Sequence, residues 1–579
     1  MAREDAPIGS WHTFVEAQLP DPAGLAGAAV ADAVVAPGEK VQGLLLAALP
    51  SGEPAAPNTY REALQTPEAR EWQAACDAEI ASLTEHGVFS WVVRPKDRKT
   101  LKSRWVFKAK RNTAGEIVKY KGRVVVKGFL QTPGVDFNTL SLSAPVANIN
   151  EFRCVIALAA ARSWRLHQMD VETAYLNALL EEELFMEAPD GFSKRGAGGR
   201  EFVWQLHRSL YGLRQSAFNW NATISEFFVE IGFVAACPSP CVFVRRRGSS
   251  ILIIVLYVDD LLLTGNNEPE LQLLKMEIGG RFRVKDLGEA AHLLGMRVSR
   301  DDAAGTVRLD QAHYIRDMAA RYGMEAANPT RLPADANTTV SATGIEPPRA
   351  DGTDGPTPDS GDYRSIIGSL MYAACITRLD VAYQVRSLAR YATAPTAAHM
   401  MAAKRVLRYL IGTPTVGLLY YRQRAAATAT ATPATATGAE SLELVGYSDA
   451  NLAGCLDSGR STTSCLFLLA GGVVAFSSRL QHSVARSTME SEYMALFDAA
   501  QEAEQLRTLL AHPGLEQTAQ TVIHEDNTVA LAVAMSAGHA RQSRHIRICY
   551  HFTRELVAAG VIVVEQVSTA DQLADGLTK

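Results

Sequence analysis

Asp259 and Asp260 stand side by side in the run Ile251-Leu-Ile-Ile-Val-Leu-Tyr257-Val-Asp-Asp260-Leu-Leu-Leu-Thr264. An apolar stretch rich in Ile and Val reads as a buried strand. Asp-Asp is poor in strands and rich in turns, so the run predicts strand, tight turn, strand. The two acids then sit at the tip of a buried hairpin. Burying unpaired carboxylates is costly, and close neighbours raise each other's pKa. A hard cation such as Mg²⁺ relieves both problems, because it prefers oxygen ligands. An exposed hairpin turn without chemistry satisfies the same residues, so the run by itself leaves both readings open. It is too short, and too acidic at its centre, to cross a bilayer.

Other acids fall at places where elements should end. Asp170 closes a predicted strand, Trp164–Asp170. Asp449 follows the strand Leu442–Ser448, and Glu525-Asp526 follow the strand Thr521–His524. Glu490 and Glu492 lie on a predicted helix, Thr488–Leu510, and residues two apart on a helix face different ways, so only one can join a given cluster. Asp571 and Asp575 lie close together near Lys579. Taken singly, an acid of the later group, Asp449 to Asp575, is more simply read as a solvated surface carboxylate. Residues 94–128 supply the opposite charge: Arg94, Lys96, Arg98, Lys99, Lys102, Arg104, Lys108, Lys110, Arg111, Lys119, Lys121, Arg123 and Lys127, against only Asp97 and Glu116. Trp105-Val-Phe-Lys and Arg123-Val-Val-Val-Lys read as strands joined by a turn around Asn112–Gly115. A twisted basic ribbon of this kind suits a phosphate backbone.

Several elements must carry these groups. A helical stretch starts at Tyr60, continues through Trp72, Ile80 and Leu83, and closes at Gly87. Glu151–Arg162 reads as a helix. Val171–Leu176 leads from Asp170 into another helical stretch, and Ser209–Ser216 is a turn entering a helix through Trp220, Ile224 and Phe228. Leu271–Arg281 is a short amphipathic helix, with a turn at Asp286-Leu-Gly288 beyond it. Ser365–Tyr391 and Ala397–Leu410 read as long helices parted at Pro395. Thr463–Leu469 and Val473–Ser478 read as paired strands. The division is 1–57, low in pattern and rich in Ala, Pro and Gly; 58–265 and 266–333, the first α+β unit; 334–424, loop and helices; 425–440, an Ala/Thr tract; and 441–579, a second α/β unit.

Composition narrows the function classes. The chain has 579 residues, 47% hydrophobic, with a net charge of −5, so a nucleic-acid site must come from local clustering. The eight cysteines are scattered, and Cys237 and Cys241 have no second pair to complete a zinc site. No signal-type apolar core follows Met1.

The ordered set His167-Gln-Met-Asp170-Val-Glu-Thr-Ala-Tyr175-Leu, Ser209-Leu-Tyr-Gly-Leu-Arg-Gln215, Tyr257-Val-Asp-Asp260, Lys285-Asp-Leu-Gly288, Arg405-Val-Leu-Arg-Tyr-Leu410 and Asp571-Gln-Leu-Ala-Asp575 resembles the reverse transcriptase and RNase H region of copia-type retrotransposon polyproteins, from about Thr59 to Lys579. The resemblance implies an α+β right-hand polymerase (fingers, palm, thumb) followed by an α/β RNase H-like domain. In that reading residues 58–265 are fingers and palm, 266–333 the palm end and thumb, 334–424 a connector, 425–440 a linker and 441–579 the RNase H-like domain.

The resemblance also assigns roles. Asp170, Asp259 and Asp260 become a palm triad for two Mg²⁺ ions, with Mn²⁺ able to replace them. Tyr175 packs under the sugar and selects deoxynucleotides. Lys110 and Arg123 grip the triphosphate. Tyr211, Gly212 and Gln215 lie beside the nascent base pair. Asp449, Glu492, Asp526 and Asp575 form a second two-metal site that cuts RNA in an RNA–DNA hybrid. His545 and His551 match a further motif, read as structural or as nucleic-acid contacts. The implied partners are RNA and DNA template–primer, the RNA–DNA hybrid and deoxynucleoside triphosphates, with no membrane. The implied place is cytoplasmic virus-like particles for an active element, the nucleus being the other compartment. The chain departs from the pattern in four ways: Asn138–Val146 is about two residues longer than the usual segment, Asn451-Leu452 stands where an acid–tryptophan pair is usual, Arg547 where an acid is common, and the Ala/Thr tract is an insertion. These leave a second reading, a decayed or domesticated copy that binds nucleic acid without catalysis.

Overall fold

The computed structural model describes residues 56–111, 117–236, 239–335, 339–346, 358–423, 442–513, 516–536 and 551–579. The stretch 1–55, the Asn112–Gly115 turn, the whole Ala/Thr tract 425–440 and His545 lie outside them.

The basic residues form the ribbon expected of them. Strands Ser103–Arg111 and Ile117–Val126 pair antiparallel, with Lys108 opposite Lys121 and Lys110 opposite Lys119. Like charges facing each other across a ladder are unfavourable. The ribbon is held instead by its apolar side on helix Ala69–Glu85, where Trp72 meets Tyr120 edge-on at 4.6 Å and Phe107 at 5.3 Å. Glu79 of that helix accepts the backbone N–H of Val124 at 3.1 Å. Beside the ribbon lies a second fingers sheet, ordered Phe89–Val93, Glu201–Arg208, Leu179–Met186, Thr100–Leu101. Leu179–Met186 corrects the helical stretch expected after Tyr175. Only a 3-10 turn, Ala174–Asn177, follows Thr173, whose φ of 52° turns the chain. The strand then alternates in exposure over its first five residues and is buried over its last three.

The palm is a six-stranded sheet ordered Val284–Glu289, Leu166–Val171, Asp260–Gly265, Ser250–Tyr257, Val242–Arg247, Val234–Ala235, with every neighbour antiparallel. One face packs on helices Ser216–Glu230 and Glu268–Arg281, and the other on helix Ile149–Ala161. That helix begins with a capping box between Asn148 and Glu151.

The thumb corrects two sequence expectations. Ser365–Tyr391 is not one helix: Ser360–Ile376 stops at Thr377, and Ala382–Ala389 begins after a 3-10 turn. At the break Arg378 is fully buried, bonded to Asp380 at 2.8 Å and to the Thr413 carbonyl at 2.9 Å. Leu418–Tyr421, expected in a connector, is a strand that pairs with Thr306–Asp310 and completes a four-stranded sheet. Helix Ala397–Gly412 packs on helix Ala312–Arg321. The boundary drawn at 333/334 therefore cuts a unit that the fold joins.

The last unit is a five-stranded sheet ordered Gly472–Leu480, Thr462–Leu469, Val445–Asn451, Thr521–Glu525, Ile562–Gln566. The first three strands are antiparallel and the last two join parallel. Helix Thr488–Ala511 crosses the sheet. This α/β unit shares one continuous apolar core with the palm helix Ile149–Ala161 and the thumb. At the junction Arg153, 1% exposed, donates to the carbonyls of Cys375 and Ile376 and lies over the ring of Phe476 at 4.8 Å.

Candidate active sites

The first site is built on the hairpin tip. Tyr257 and Asp260 close the ladder, and between them Val258 turns with φ 56°. A left-handed conformation is strained for a β-branched residue. It is held from both sides: Trp220 Nε1 donates to the Val258 carbonyl at 2.6 Å, and Val171 N donates to the Asp259 carbonyl at 2.8 Å. The second bond ties the tip to the strand of Asp170. Register places Asp170 directly opposite Asp260, and residues so paired in an antiparallel ladder share a face. Burial raises the Asp259 carboxyl, and Asp170 raises it further, while Arg123 and Lys121 oppose the shift. Asp260 is pushed up to about 6, by burial first and then by both neighbouring acids, with a Gln168 hydrogen bond at 3.1 Å working the other way. The three half-buried acids thus stand close enough to repel one another.

Around them stand the other expected residues. Arg123 lies over the Tyr211 ring at 4.6 Å, and Tyr211 meets Tyr175 at 5.1 Å. Burial raises the Tyr175 hydroxyl, and Asp259 adds to it. Gly212 has φ 94°, and a Cβ there would lie 2.2 Å from the Val126 carbonyl oxygen. This close approach fixes the Tyr211 loop against the basic ribbon. Gln215 is fully buried. It accepts from Gln131 at 3.0 Å and donates to the Asp136 carbonyl and to Glu182, each at 3.0 Å. It braces loops and presents no free amide to the site. The backbone of Lys110 lies in the ribbon; its side chain lies outside the described residues.

Sequence reasoning singled out neither Gln168 nor Lys285 for this site. Lys285, exposed on the edge strand, is in register with Asp170, so Lys285, Asp170 and Asp260 lie in one row across three strands. Its motif was visible, but the strand pairing that sets this row was not.

The second site lies on the sheet of the last unit, where Asp449 sits within strand Val445–Asn451 and not beyond the end of the strand expected at Leu442–Ser448, and Asp526 directly follows strand Thr521–Glu525. Asp449, Glu492 and Asp526 each place a carboxylate oxygen within 4.8 Å of the others. Glu492 comes from the helix and is 4% exposed. Glu490 instead accepts the Arg486 N–H at 2.8 Å at the start of the helix. Glu492 is pushed up to about 10, by burial first and then by Glu525, Asp449 and Asp526. Asp449 is pushed up to about 6, again by burial first, while a hydrogen bond from Thr578 works against it. Asp526 accepts from Thr569 at 2.8 Å. Asp575 stands near Asp449 but outside this group of three, its carboxylate paired with Lys579. Asp571 accepts from Ser568 at 2.6 Å and is exposed. Sequence reasoning passed over Glu525, which is fully buried and well above the carboxylate range, chiefly through burial. Its only signal was adjacency to Asp526.

Hard carboxylate oxygens gathered from three elements are a donor set for a divalent cation. Glu492 Oε2 is buried without a hydrogen-bond partner, an expense a cation would remove. The residues present therefore fit a metal. His551 opens the helix His551–Ala558; its side chain lies outside the described residues.

Residues 86–336 match the reverse transcriptase (RNA-dependent DNA polymerase) family. The chain is 34% identical over 90% of its length to a retrovirus-related Pol polyprotein from the Nicotiana tabacum transposon TNT 1-94, and 34% identical over 91% to that of the Arabidopsis thaliana transposon RE1. It spans 38% and 34% of the lengths of these two relatives. Among solved structures it is similar to a foamy viral protease–reverse transcriptase in complex with double-stranded DNA, at 11% identity and TM-score 0.45, covering 86% of this chain and 70% of that one. By its family match and its relatives, the chain carries a reverse transcriptase domain over residues 86–336 and is similar over about nine tenths of its length to copia-type retrotransposon Pol polyproteins.

Proposed function

We propose that the chain is an RNA-directed DNA polymerase with a fused ribonuclease H. The polymerase would extend a primer on RNA or DNA with deoxynucleoside triphosphates, and the nuclease would cut RNA in RNA–DNA hybrids. The observation that carries the reading is the strand register that sets Asp170 against Asp260, with the Asp259 tip bonded to the same strand. Asp170, Asp259 and Asp260 would hold Mg²⁺ or Mn²⁺ in the palm; Asp449, Glu492 and Asp526, with Asp575 beside them, would do so in the nuclease. Bound ions supply charge neutralisation and a lowered pKa for the attacking oxygen.

This chain's residues do the rest. Arg123, fixed over Tyr211, offers a positioned guanidinium for the triphosphate. Tyr175, packed on Tyr211, presents bulk where a sugar would rest. The ribbon supplies cations along the nucleic-acid backbone. Primer extension on an RNA template tests the reading: wild type should extend and Asp259→Asn should not. Hybrid cleavage by wild type and by Asp259→Asn, but not by Asp449→Asn, tests the second site. Equal extension by wild type and Asp259→Asn, or none by either, would sink the polymerase assignment. The decayed-copy reading predicts binding of template–primer with no extension by any form.

A further inference from the structure

The strand that carries Asp170 has two neighbours of unequal strength. On one side is the hairpin strand Asp260–Gly265, deep in the sheet. On the other is the edge strand Val284–Glu289, whose pairing slips at a bulge between Asp286 and Gly288. An edge strand with a bulge is the weakest part of a sheet. One buried cation fastens it. Lys275, 8% exposed on helix Glu268–Arg281, donates to both carboxylate oxygens of Asp286 at 3.0 Å. The same ammonium lies 2.9 Å from Nδ1 of His167, which is buried on the catalytic strand three residues before Asp170. Asp286 also accepts the Gly288 N–H at 2.9 Å, which fixes the bulge itself. Helix, edge strand and catalytic strand therefore meet at a single ammonium.

His167 serves this ammonium as a neutral acceptor. Burial and the Lys275 charge lower its pKa, while Glu268, Glu289 and Asp286 act in the opposite direction. Its other nitrogen, Nε2, faces Glu268 at 3.4 Å.

We propose that Lys275, Asp286 and His167 form a positioning clasp that sets the height of Asp170 in the palm and keeps Lys285 in the same row. The clasp rests on the polymerase reading above. It touches no substrate. It acts by holding two strands in a register that a bulged edge would otherwise leave loose. Displacing a reacting group by about 1 Å costs up to about 100-fold in rate.

The test uses the full chain with Lys275→Met, Asp286→Asn and the double variant, assayed for primer extension and for RNA–DNA hybrid cleavage. Hybrid cleavage and the melting temperature report on folding within the same molecules. The clasp predicts that each single variant lowers kcat for extension by about tenfold or more, with KM for the nucleotide within about twofold and cleavage unchanged. It predicts that the double variant is no slower than the worse single one, because one interaction is lost once. A wild-type extension rate in both singles overturns the clasp. So does a parallel loss of extension and cleavage, a rise in KM with kcat unchanged, or additive losses in the double variant. Failure of wild type to extend at all overturns the polymerase reading instead.

Discussion

Asp449 and Glu492 set how the metal-free protein answers to pH. Burial raises both, to about 6 and about 10, so the fold favours their protonated forms. The stability they contribute is complete below the ordinary carboxylate range. It is lost as pH rises through those folded values. In chelator, the melting temperature should fall between about pH 5 and about pH 8, and Asp449→Asn should flatten the lower part of that fall. Mg²⁺ should restore stability more at the upper pH, where the carboxylates are available to bind it. A melting curve that rises over this range, or gains nothing from Mg²⁺, would contradict the geometry. Tyr175 carries a second residue-scale expectation. Tyr175→Ala removes bulk packed against Tyr211 at 5.1 Å, so the ratio of ribonucleotide to deoxynucleotide incorporation should rise by about tenfold or more. Single-nucleotide extension with each triphosphate measures it, and an unchanged ratio would remove Tyr175 from sugar selection.

Two glycines separate what an element needs from what a single backbone needs. Gly212 combines φ 94° with a backbone oxygen 2.2 Å from where a Cβ would lie, whereas Gly134 combines φ 74° with open space. Gly134→Ala meets only conformational strain, about 1 kcal/mol. Gly212→Ala must also push the Tyr211 loop off strand Ile117–Val126, so its cost should be several-fold larger and primer extension should be lost with it. Thermal melts of the two variants make the comparison; equal shifts would show that the loop–ribbon contact is slack. The thumb carries the same lesson. Its helix stops at Thr377 because Arg378 is drawn into a buried ion pair with Asp380, reinforced by Tyr409 at 2.8 Å. Nothing in the helical pattern of Ser365–Tyr391 announces a partner near residue 409.

At the scale of the molecule the two units share one core. Strand Gly472–Leu480 of the last unit packs on the palm helix Ile149–Ala161, and Tyr420 donates to the Val473 carbonyl at 2.8 Å. The full chain should therefore melt with the palm and the last unit in one calorimetric transition. Arg153→Met, which leaves two buried carbonyls without their donor, should lower that transition by about 3 kcal/mol. Residues 442–579 made alone should bind a hydrophobic dye, because the face on the palm helix is uncovered. Separate transitions for the two units in the full chain would refute the shared core. No helix among the described residues is long and apolar enough to cross a membrane.

Local pattern was enough for much of the chemistry: the hairpin that brings Asp259 and Asp260 to a tip, the basic ribbon, the strand ends beside Asp170 and Asp526, and the order of the motifs. These rest on short-range rules, because side-chain alternation and turn preference act within a few residues. Which acids meet depends on contacts between distant segments. Glu490 and Glu492 stand two positions apart on one helix, yet one accepts a backbone N–H near the helix start and the other is buried in the cluster. Glu525 reads as half of an acidic pair and proves to be fully buried. The Lys275 clasp, the row of Lys285 with Asp170, and the strand Leu418–Tyr421 that closes the thumb sheet all depend on register between distant segments. Register is chosen by packing and desolvation over the whole core, and no local pattern encodes that sum.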